Sequence, residues 1–317
     1  MAIKVNNTEV ISDSRGLNNI VSIDATTAAT IGALGVGGSG GGTGGGTSFV
    51  TLATSGTTNN LEGITWTGSQ YVVVGWLGTI LTSPDATTWT SRTSGTTNTL
   101  NGVTWSGSRF VVVGNSGQIY TSPDGATWTD QSTGIGNSLF DVIWNGSQFV
   151  AVGAGGVIRT SPDGTTWTDQ TSGTTNWLYS VVWTGSQFVA PTHAGNILTS
   201  PDGVTWTTQA SGIPNSLIGI AWSGSLFVAV GHAGNIVTSP DGTTWTTRTS
   251  RTAADMYAVV WSGSQFVATG NSGAITISPD GITWTLQTSG TTNNLEGITW
   301  TGSQYVVVGW LGTIGIR

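Results

Sequence analysis

An ungapped repeat constrains the fold of this chain more than any other feature of its sequence. A Trp that precedes a small polar residue, Gly and Ser recurs seven times at intervals of 39 residues, at Trp66, Trp105, Trp144, Trp183, Trp222, Trp261 and Trp300. A second Trp recurs six times at the same interval, at Trp89, Trp128, Trp167, Trp206, Trp245 and Trp284. Self-similarity at a fixed period indicates equal structural units, each of which buries its apolar face against the next unit.

One copy of the repeat predicts four short strands, because runs of β-branched residues alternate with turn residues. The predicted strands are Leu100–Trp105, Arg109–Gly114, Gln118–Ser122 and Thr127–Ser132. The sequence Pro123-Asp124-Gly125 suits a tight hairpin, since Pro presets φ at the second turn position and Gly follows. Four strands in about 40 residues are typical of a β-propeller blade.

An incomplete copy at each end of the repeat region predicts a closed ring. The last copy stops at Arg317, inside its third predicted strand, and residues 48–56 lie in phase with residues 87–95, which contain a fourth strand. We therefore expect an all-β, seven-bladed propeller of four-stranded blades, in which residues 48–54 complete the blade built from residues 295–317. This pairing would tie both ends of the propeller into one ring and remove an open edge.

A 26-residue duplication leaves one alternative to the closed ring. Residues 55–80 and 289–314 are identical. The identity indicates a recent duplication of the coding sequence, or a repeat that could start an open spiral.

Composition excludes several classes of protein. The chain has 49 Gly and 16 Trp but only 7% charged residues, which fits strands and tight turns and not a disordered chain. The net charge is −7 and the 8 Lys and Arg residues are scattered, so neither nucleic acid nor an anionic membrane is an expected partner. The chain has no Cys, which excludes disulfides and thiolate metal sites. No apolar run reaches the length of a membrane span, so we expect no membrane insertion.

The hairpin from Ser122 to Trp128 (SPDGATW) and its five counterparts resemble the Asp-box of sialidase-like propellers. The pattern of that family is Ser, any residue, Asp, any residue, Gly, two residues and Trp. Here Asp and Gly are adjacent, and Ala86 replaces the Gly in one copy. The resemblance implies the propeller fold and nothing catalytic, because the box is a structural turn between the third and fourth strands.

The first 35 residues (MAIKVNNTEVISDSRGLNNI…) resemble the start of bacteriophage tail-fibre and related virion proteins, notably those of marine cyanophages. The resemblance implies that residues 1–35 attach to other virion proteins and that the Gly-rich residues 36–47 are a flexible linker. Residues 48–317 are then a distal propeller domain. It also implies that the protein belongs to the virion, is made in the host cytoplasm and leaves by lysis, and it is compatible with a homo-oligomer.

An enzymatic site is not expected. A sialidase-like site resembles a cluster of three Arg with a Tyr–Glu nucleophile pair, but the Arg residues of the repeats fall at unrelated phases. No cofactor and no metal are expected either. His193 and His232 occupy the same phase in neighbouring copies, which separates them too far for two bonds of about 2 Å to one ion.

Differences between the copies indicate a candidate binding face. The Gly-Ser and Pro-Asp-Gly turns barely vary, whereas the second-to-third turn and the start of the first strand vary widely. The predicted ligand-binding residues are Glu62, Trp76, Asn101, Asn115, Phe140, Trp177, Tyr179, His193, His232, Asp255, Tyr257, Asn271, Glu296 and Trp310. Rings, amides and carboxylates together suit sugars, and the first-strand positions are expected to converge at the mouth of a central channel. The alternative explanation for the variation is neutral drift on solvated loops. The 13 phased Trp residues are expected in the core and not in the binding site.

These observations favour a phage adhesin whose propeller face binds a glycan or another receptor on the host surface, through weak contacts multiplied by avidity. One alternative is an architectural virion subunit whose varied face contacts another virion protein. The other alternative is a sialidase-like glycan hydrolase.

Overall fold

The computed structural model describes residues 3–5, 8–11, 48–132, 134 and 136–317. Near the N-terminus, strands β1 (Ile3–Val5) and β2 (Thr8–Ile11) pair antiparallel. The predicted Gly-rich linker, residues 36–47, and most of the predicted attachment segment lie outside the described residues. No helix in the described part of the chain is long and apolar enough to span a membrane.

Seven four-stranded antiparallel sheets follow, numbered here as blades 1 to 7 in chain order. The first strands of blades 1 to 7 are β4 (Leu61–Trp66), β8 (Leu100–Trp105), β12 (Leu139–Trp144), β16 (Val182–Trp183), β20 (Leu217–Trp222), β24 (Met256–Trp261) and β28 (Leu295–Trp300). The second strands are β5 (Tyr71–Gly75), β9 (Phe110–Gly114), β13 (Phe149–Gly153), β17 (Phe188–Pro191), β21 (Phe227–Gly231), β25 (Phe266–Gly270) and β29 (Tyr305–Gly309).

The outer strands complete each blade. The third strands are β6 (Ile80–Ser83), β10 (Ile119–Ser122), β14 (Ile158–Ser161), β18 (Ile197–Ser200), β22 (Asn235–Ser239), β26 (Ile275–Ser278) and β30 (Ile314–Ile316). The fourth strands are β7 (Thr90–Arg92), β11 (Thr129–Asp130), β15 (Thr168–Gln170), β19 (Thr207–Gln209), β23 (Thr246–Thr249), β27 (Thr285–Gln287) and, in blade 7, β3 (Thr51–Ala53). Short 3-10 turns join the second and third strands at Trp76–Gly78, Asn115–Gly117, Ala154–Gly156, His232–Gly234, Asn271–Gly273 and Trp310–Gly312.

Strand β3 closes the ring by pairing with β30, with Thr51 opposite Ile316 and Ala53 opposite Ile314. The predicted seven-bladed propeller and its closure are confirmed. The closing strand is shorter than the predicted residues 48–54, because Phe49 and Val50 leave the ladder and are buried in the core.

The core lies between neighbouring blades. Alternate residues of each second strand face the two adjacent blades, so Val72 and Val74 of blade 1 pack with Phe110 of blade 2. Most of the phased Trp residues are half-buried at the edge of these clusters, while Trp167 and Trp284 are buried. These tryptophans pack against the core as predicted, but most of them lie at its border and remain partly exposed.

The hairpin between third and fourth strands is held by one repeated set of hydrogen bonds. In blade 2, Ser122 Oγ donates to Asp124 Oδ1 at 3.0 Å. Asp124 Oδ1 also accepts the N–H groups of Ala126 and Thr127, at 2.8 and 3.0 Å. The indole of Trp128 donates to the carbonyl of Gly125 at 3.1 Å. The N–H groups of Thr127 and Ala126 hold the pKa of Asp124 below its ordinary value.

Three of the four predicted strands have a wrong boundary for local reasons. The third strand begins at Ile119 and not at Gln118, because the N–H of Gln118 bonds to the carbonyl of Asn115 in the preceding turn at 3.3 Å. Arg109 was expected in the second strand, but its carbonyl accepts the N–H of Ser106 at 3.0 Å and so belongs to the turn. The fourth strand was expected over Thr127–Ser132 and covers only Thr129–Asp130, because the N–H of Thr127 is bonded to Asp124.

Candidate ligand-binding site

One position of the 39-residue repeat, the residue that follows Leu61 and its counterparts in the other copies, lines a central cavity of about 410 Å³ in all seven blades. These residues are Glu62, Asn101, Phe140, Tyr179, Ile218, Tyr257 and Glu296. Six of the seven are predicted site residues, and the structure brings them together although they are spread over more than 200 positions of the sequence. Among the described residues that line this cavity there is neither Lys nor Arg.

An aromatic cluster lies on one side of the cavity and consists of Phe140, Trp177, Tyr179 and His193. The Phe140 and Tyr179 rings are stacked with centroids 5.6 Å apart, and Trp177 lies 5.5 Å from Phe140. Tyr179 Oη lies 3.0 Å from His193 Nδ1. Trp177 is 47% exposed, so one large ring of the cluster is free to contact a ligand.

The aromatic cluster coincides with an irregularity in blade 4. Its first strand is reduced to Val182–Trp183, plus a single bridge between Leu178 and Thr192, where the other blades have a continuous strand of six residues. The six other blades have Gly at the position of Thr192, and a Cβ at Gly114, for example, would clash with the backbone carbonyl of Thr99. Pro191 adds to the disruption, since it has no N–H to donate to the ladder.

Asp141 supplies hydrogen bonds to the segment of blade 4 in which the first strand is interrupted. This residue is not among the predicted site residues. Its Oδ2 accepts the hydroxyl of Ser180 at 2.8 Å and the N–H of Val181 at 3.0 Å, both in the next blade. Burial raises the pKa of Asp141. The sequence does mark this residue, because the equivalent position holds Gly, Ser or Ala in all the other copies and a carboxylate only here.

An acidic pair, Glu62 and Glu296, lies on another side of the cavity, in adjacent blades 1 and 7. Burial is the main cause that raises the pKa of both carboxyls, and the charge of Glu62 helps to raise the pKa of Glu296 to about 8. The side chains of Trp76 and Trp310 favour the charged carboxylates and so oppose the shift. Burial and the charge of Glu296 raise the pKa of Tyr257, in blade 6, to about 12.

Several predicted site residues make contacts within the fold. Asn101 Nδ2 donates to Asn115 Oδ1 at 3.0 Å and to the Leu139 carbonyl of the next blade at 2.7 Å. Asp255 Oδ1 accepts the N–H of Ala233 at 2.7 Å, which ties blade 6 to blade 5. These three side chains therefore stabilise contacts between elements of the ring.

The remaining candidates lie in the second-to-third turns. Asn271 Oδ1 accepts the hydroxyl of Ser272 at 2.6 Å, and His232 begins the turn of blade 5. No group of three or more His, Cys, Asp or Glu residues within the described segments is arranged to hold a metal ion.

The Arg residues of the propeller lie away from the cavity lining. Arg92 and Arg248 bond to threonines of neighbouring strands within their own blades, and Arg159 pairs with Asp169 at 2.6 Å. The described part of the chain therefore brings no cluster of three Arg to the central cavity.

Comparison with solved structures agrees with the propeller architecture. Two structures of YCF48 are similar. The one bound to a D1 peptide has a TM-score of 0.72 and 17% sequence identity, and the match covers 84% of this chain and 94% of that chain. The one from Cyanidioschyzon merolae has a TM-score of 0.70 and 18% identity, over 84% of this chain and 98% of that chain. The WD40 propeller domain of Doa1 gives a TM-score of 0.71 at 13% identity, over 84% of this chain and 96% of that domain. At these identities the likeness shows the fold alone. No protein-family profile and no curated protein matches the sequence.

Proposed function

We propose that this protein is a non-enzymatic phage adhesin that binds a host surface glycan at the aromatic cluster. The observation that carries the proposal is the convergence of Phe140, Trp177, Tyr179 and His193 beside the central cavity, with Trp177 47% exposed. Large exposed rings grouped with polar side chains are typical of binding sites and rare elsewhere on a protein surface.

The chemistry of the cluster suits a pyranose ring. The C–H face of the sugar would pack on the exposed indole of Trp177, as apolar faces pack on aromatic rings. The hydroxyl of Tyr179 and the imidazole of His193 would exchange hydrogen bonds with sugar hydroxyls. Asp141 and Ser180, which also line the cavity, add polar groups close to Tyr179.

The adhesin role rests on the sequence resemblances. Residues 1–35 resemble the start of phage tail-fibre proteins, which makes them the proposed attachment to other virion proteins. The Gly-rich residues 36–47 would give the propeller reach, and several copies on one particle would multiply a weak contact. The Ser-x-Asp hairpins are the proposed counterparts of the Asp-box.

A glycan array with the full-length protein tests the proposal. We expect selective binding to a subset of glycans, lost in Trp177→Ala and reduced in Tyr179→Phe. Leu286→Ala is a matched control, because Leu286 is 52% exposed but lies on an outer strand. Absence of binding to any glycan, or equal binding by Trp177→Ala, would show that the proposal is wrong. Release of sugar from a host polysaccharide would overturn its non-enzymatic part.

A protein ligand is the second candidate. The similar YCF48 structure is bound to a D1 peptide, which makes a polypeptide partner for this propeller plausible. In a virion, such a partner would make this protein an architectural subunit.

A further inference from the structure

A second surface, separate from the aromatic cluster, is formed by two identical turns in blades 7 and 1. The 3-10 turns Trp76–Gly78 and Trp310–Gly312 have the same sequence and occupy equivalent positions in adjacent blades. Trp76 and Leu77 are 46% and 64% exposed, and Trp310 and Leu311 are 42% and 63% exposed. These four side chains are called the turn patch below.

The leucines of the turn patch are not required by the fold. Leu77 and Leu311 have φ of 54°, in the left-handed region that disfavours large side chains. Blades 2, 3, 5 and 6 have Ser116, Gly155, Ala233 and Ser272 at this position. A leucine here takes an unfavourable backbone conformation and leaves most of its side chain exposed, so it adds little to the stability of the fold.

Hydrogen bonds fix the two turns relative to each other. The carbonyl of Asn60 accepts the N–H of Trp76 at 2.9 Å, while its side-chain Oδ1 accepts the N–H of Leu311 at 3.0 Å. The turn patch is therefore a preorganised surface, which lowers the entropic cost of binding a partner.

The acidic pair lies next to the turn patch. Leu61 pairs with Gly75 and Leu295 with Gly309, which places Glu62 and Glu296 one residue beyond the ladder positions that precede Trp76 and Trp310. Tyr257 of blade 6 is close enough to interact with both of these carboxylates and with Asp255. Across the cavity the facing titratable groups are Asp141 and Tyr179, and none of the described lining residues is a cation. A positive charge entering here would meet only groups that are neutral or negative.

We propose that the turn patch binds a polypeptide segment in which a lysine is flanked by apolar residues. The ammonium group would contact the acidic pair, and the lysine methylenes would pack on the indoles of Trp76 and Trp310. The flanking apolar side chains would cover Leu77 and Leu311. A sugar does not fit this surface as well, because leucine side chains offer hydroxyl groups no hydrogen bonds.

The test uses the full-length protein labelled with ¹⁵N and a synthetic acetylated pentapeptide amide of sequence Ser-Leu-Lys-Leu-Ser. We expect the peptide to shift the indole N–H signals of Trp76 and Trp310, assigned from Trp→Phe variants. The double variant Leu77→Gly/Leu311→Gly should fold, since glycine accepts the left-handed conformation, and should bind about tenfold or more weakly because it loses apolar contact area.

Two controls separate the parts of the proposal. Ser116→Gly/Ala233→Gly changes the same turn position in blades 2 and 5 and should leave the affinity unchanged. A peptide with Gln in place of Lys should bind at least about tenfold more weakly, as expected for loss of a cation that donates hydrogen bonds to the acidic pair.

Three results would overturn the proposal: no shift of either indole signal, unchanged affinity in the leucine double variant, or equal binding of the Gln peptide. Self-association of the protein that disappears in the leucine double variant would assign the turn patch to a second copy of the chain, and would also overturn it. The glycan array is an independent measurement, so these results do not affect the proposal for the aromatic cluster.

Discussion

Thr269 places a hydroxyl in the core where the second strands of five other blades have Val. Its Oγ1 is fully buried and has no hydrogen-bond partner among the described residues. Burying an unpaired hydroxyl costs about 1–3 kcal/mol. We therefore expect Thr269→Val to raise the free energy of unfolding by about 1 kcal/mol, measured by urea denaturation. Val230→Thr, at the equivalent position of blade 5, should have the opposite effect. A loss of stability in Thr269→Val would contradict the assignment of an unpaired hydroxyl.

Glu296 makes the stability of the ring depend on pH near neutrality. Its pKa is raised to about 8 in the folded protein, so between the ordinary value of about 4.3 and this value the folded state holds a proton that the unfolded state has released. Stability must therefore fall as the pH rises from about 4 to 8. We expect Glu296→Gln, which cannot ionise, to stabilise the protein more at pH 8.5 than at pH 5. Urea midpoints at the two pH values measure this, and an equal effect at both would be inconsistent with the raised pKa.

At the scale of elements, the Ser-x-Asp hairpins give the opposite dependence in acid. The aspartates of the six hairpins, Asp85, Asp124, Asp163, Asp202, Asp241 and Asp280, all have lowered pKa values, with backbone N–H groups as the main cause. The unfolded state binds protons at about pH 4, where these folded carboxylates do not, so their stabilisation is lost as the pH falls through the folded pKa values. We expect the urea midpoint to drop steadily below about pH 4. Asp124→Asn should make that drop shallower, and an unchanged slope would contradict the assignment.

Blade 4 shows how two residues can reshape an element. Pro191→Val/Thr192→Gly restores the residues that most blades have, and should allow the first strand to extend back toward Leu178. We expect slower amide exchange at Tyr179–Val181, higher stability and weaker glycan binding, because the aromatic cluster would be displaced. Gly114→Thr in blade 2 is the converse control and should destabilise β8 through its clash with Thr99. Unchanged exchange at Tyr179–Val181 would show that the irregularity has another cause.

The elements that recur with the 39-residue period could be predicted from the sequence. The strand order, the hairpins and the completion of blade 7 by an N-terminal strand follow from periodicity and turn residues. The interruption of blade 4 could not be predicted, because it depends on how closely the Gly position approaches the neighbouring backbone, a contact that periodicity does not report. The convergence of the first-strand positions on one cavity follows from the propeller fold. The hydrogen bond from Asp255 to Ala233 does not, because it depends on side-chain orientation.

At the scale of the whole molecule, blade 7 differs from the other blades because both ends of the propeller build it. Strands β28, β29 and β30 come from the C-terminal end and β3 from residues that precede blade 1. Apart from the short pairing of β3 with β30, Phe49 and Val50 anchor the closing segment in the core beside Tyr305 and Leu295. Pairing with β3 covers the outer side of β30, which would otherwise be available for association with other chains.

This closure can be tested with a cross-link, because the chain has no Cys to interfere. Thr51 and Ile316 are direct partners across β3 and β30, so the variant Thr51→Cys/Ile316→Cys should form a disulfide on oxidation. The bond would close a loop of about 265 residues, and chain entropy then predicts stabilisation of up to about 5 kcal/mol, less any strain. Unfolding of the oxidised protein in urea, with the reduced protein as its own control, measures the effect. A closed ring requires the cross-linked form to unfold at a higher urea concentration. In an open spiral the two thiols would stay apart and reactive, and the urea midpoint would be the same before and after oxidation.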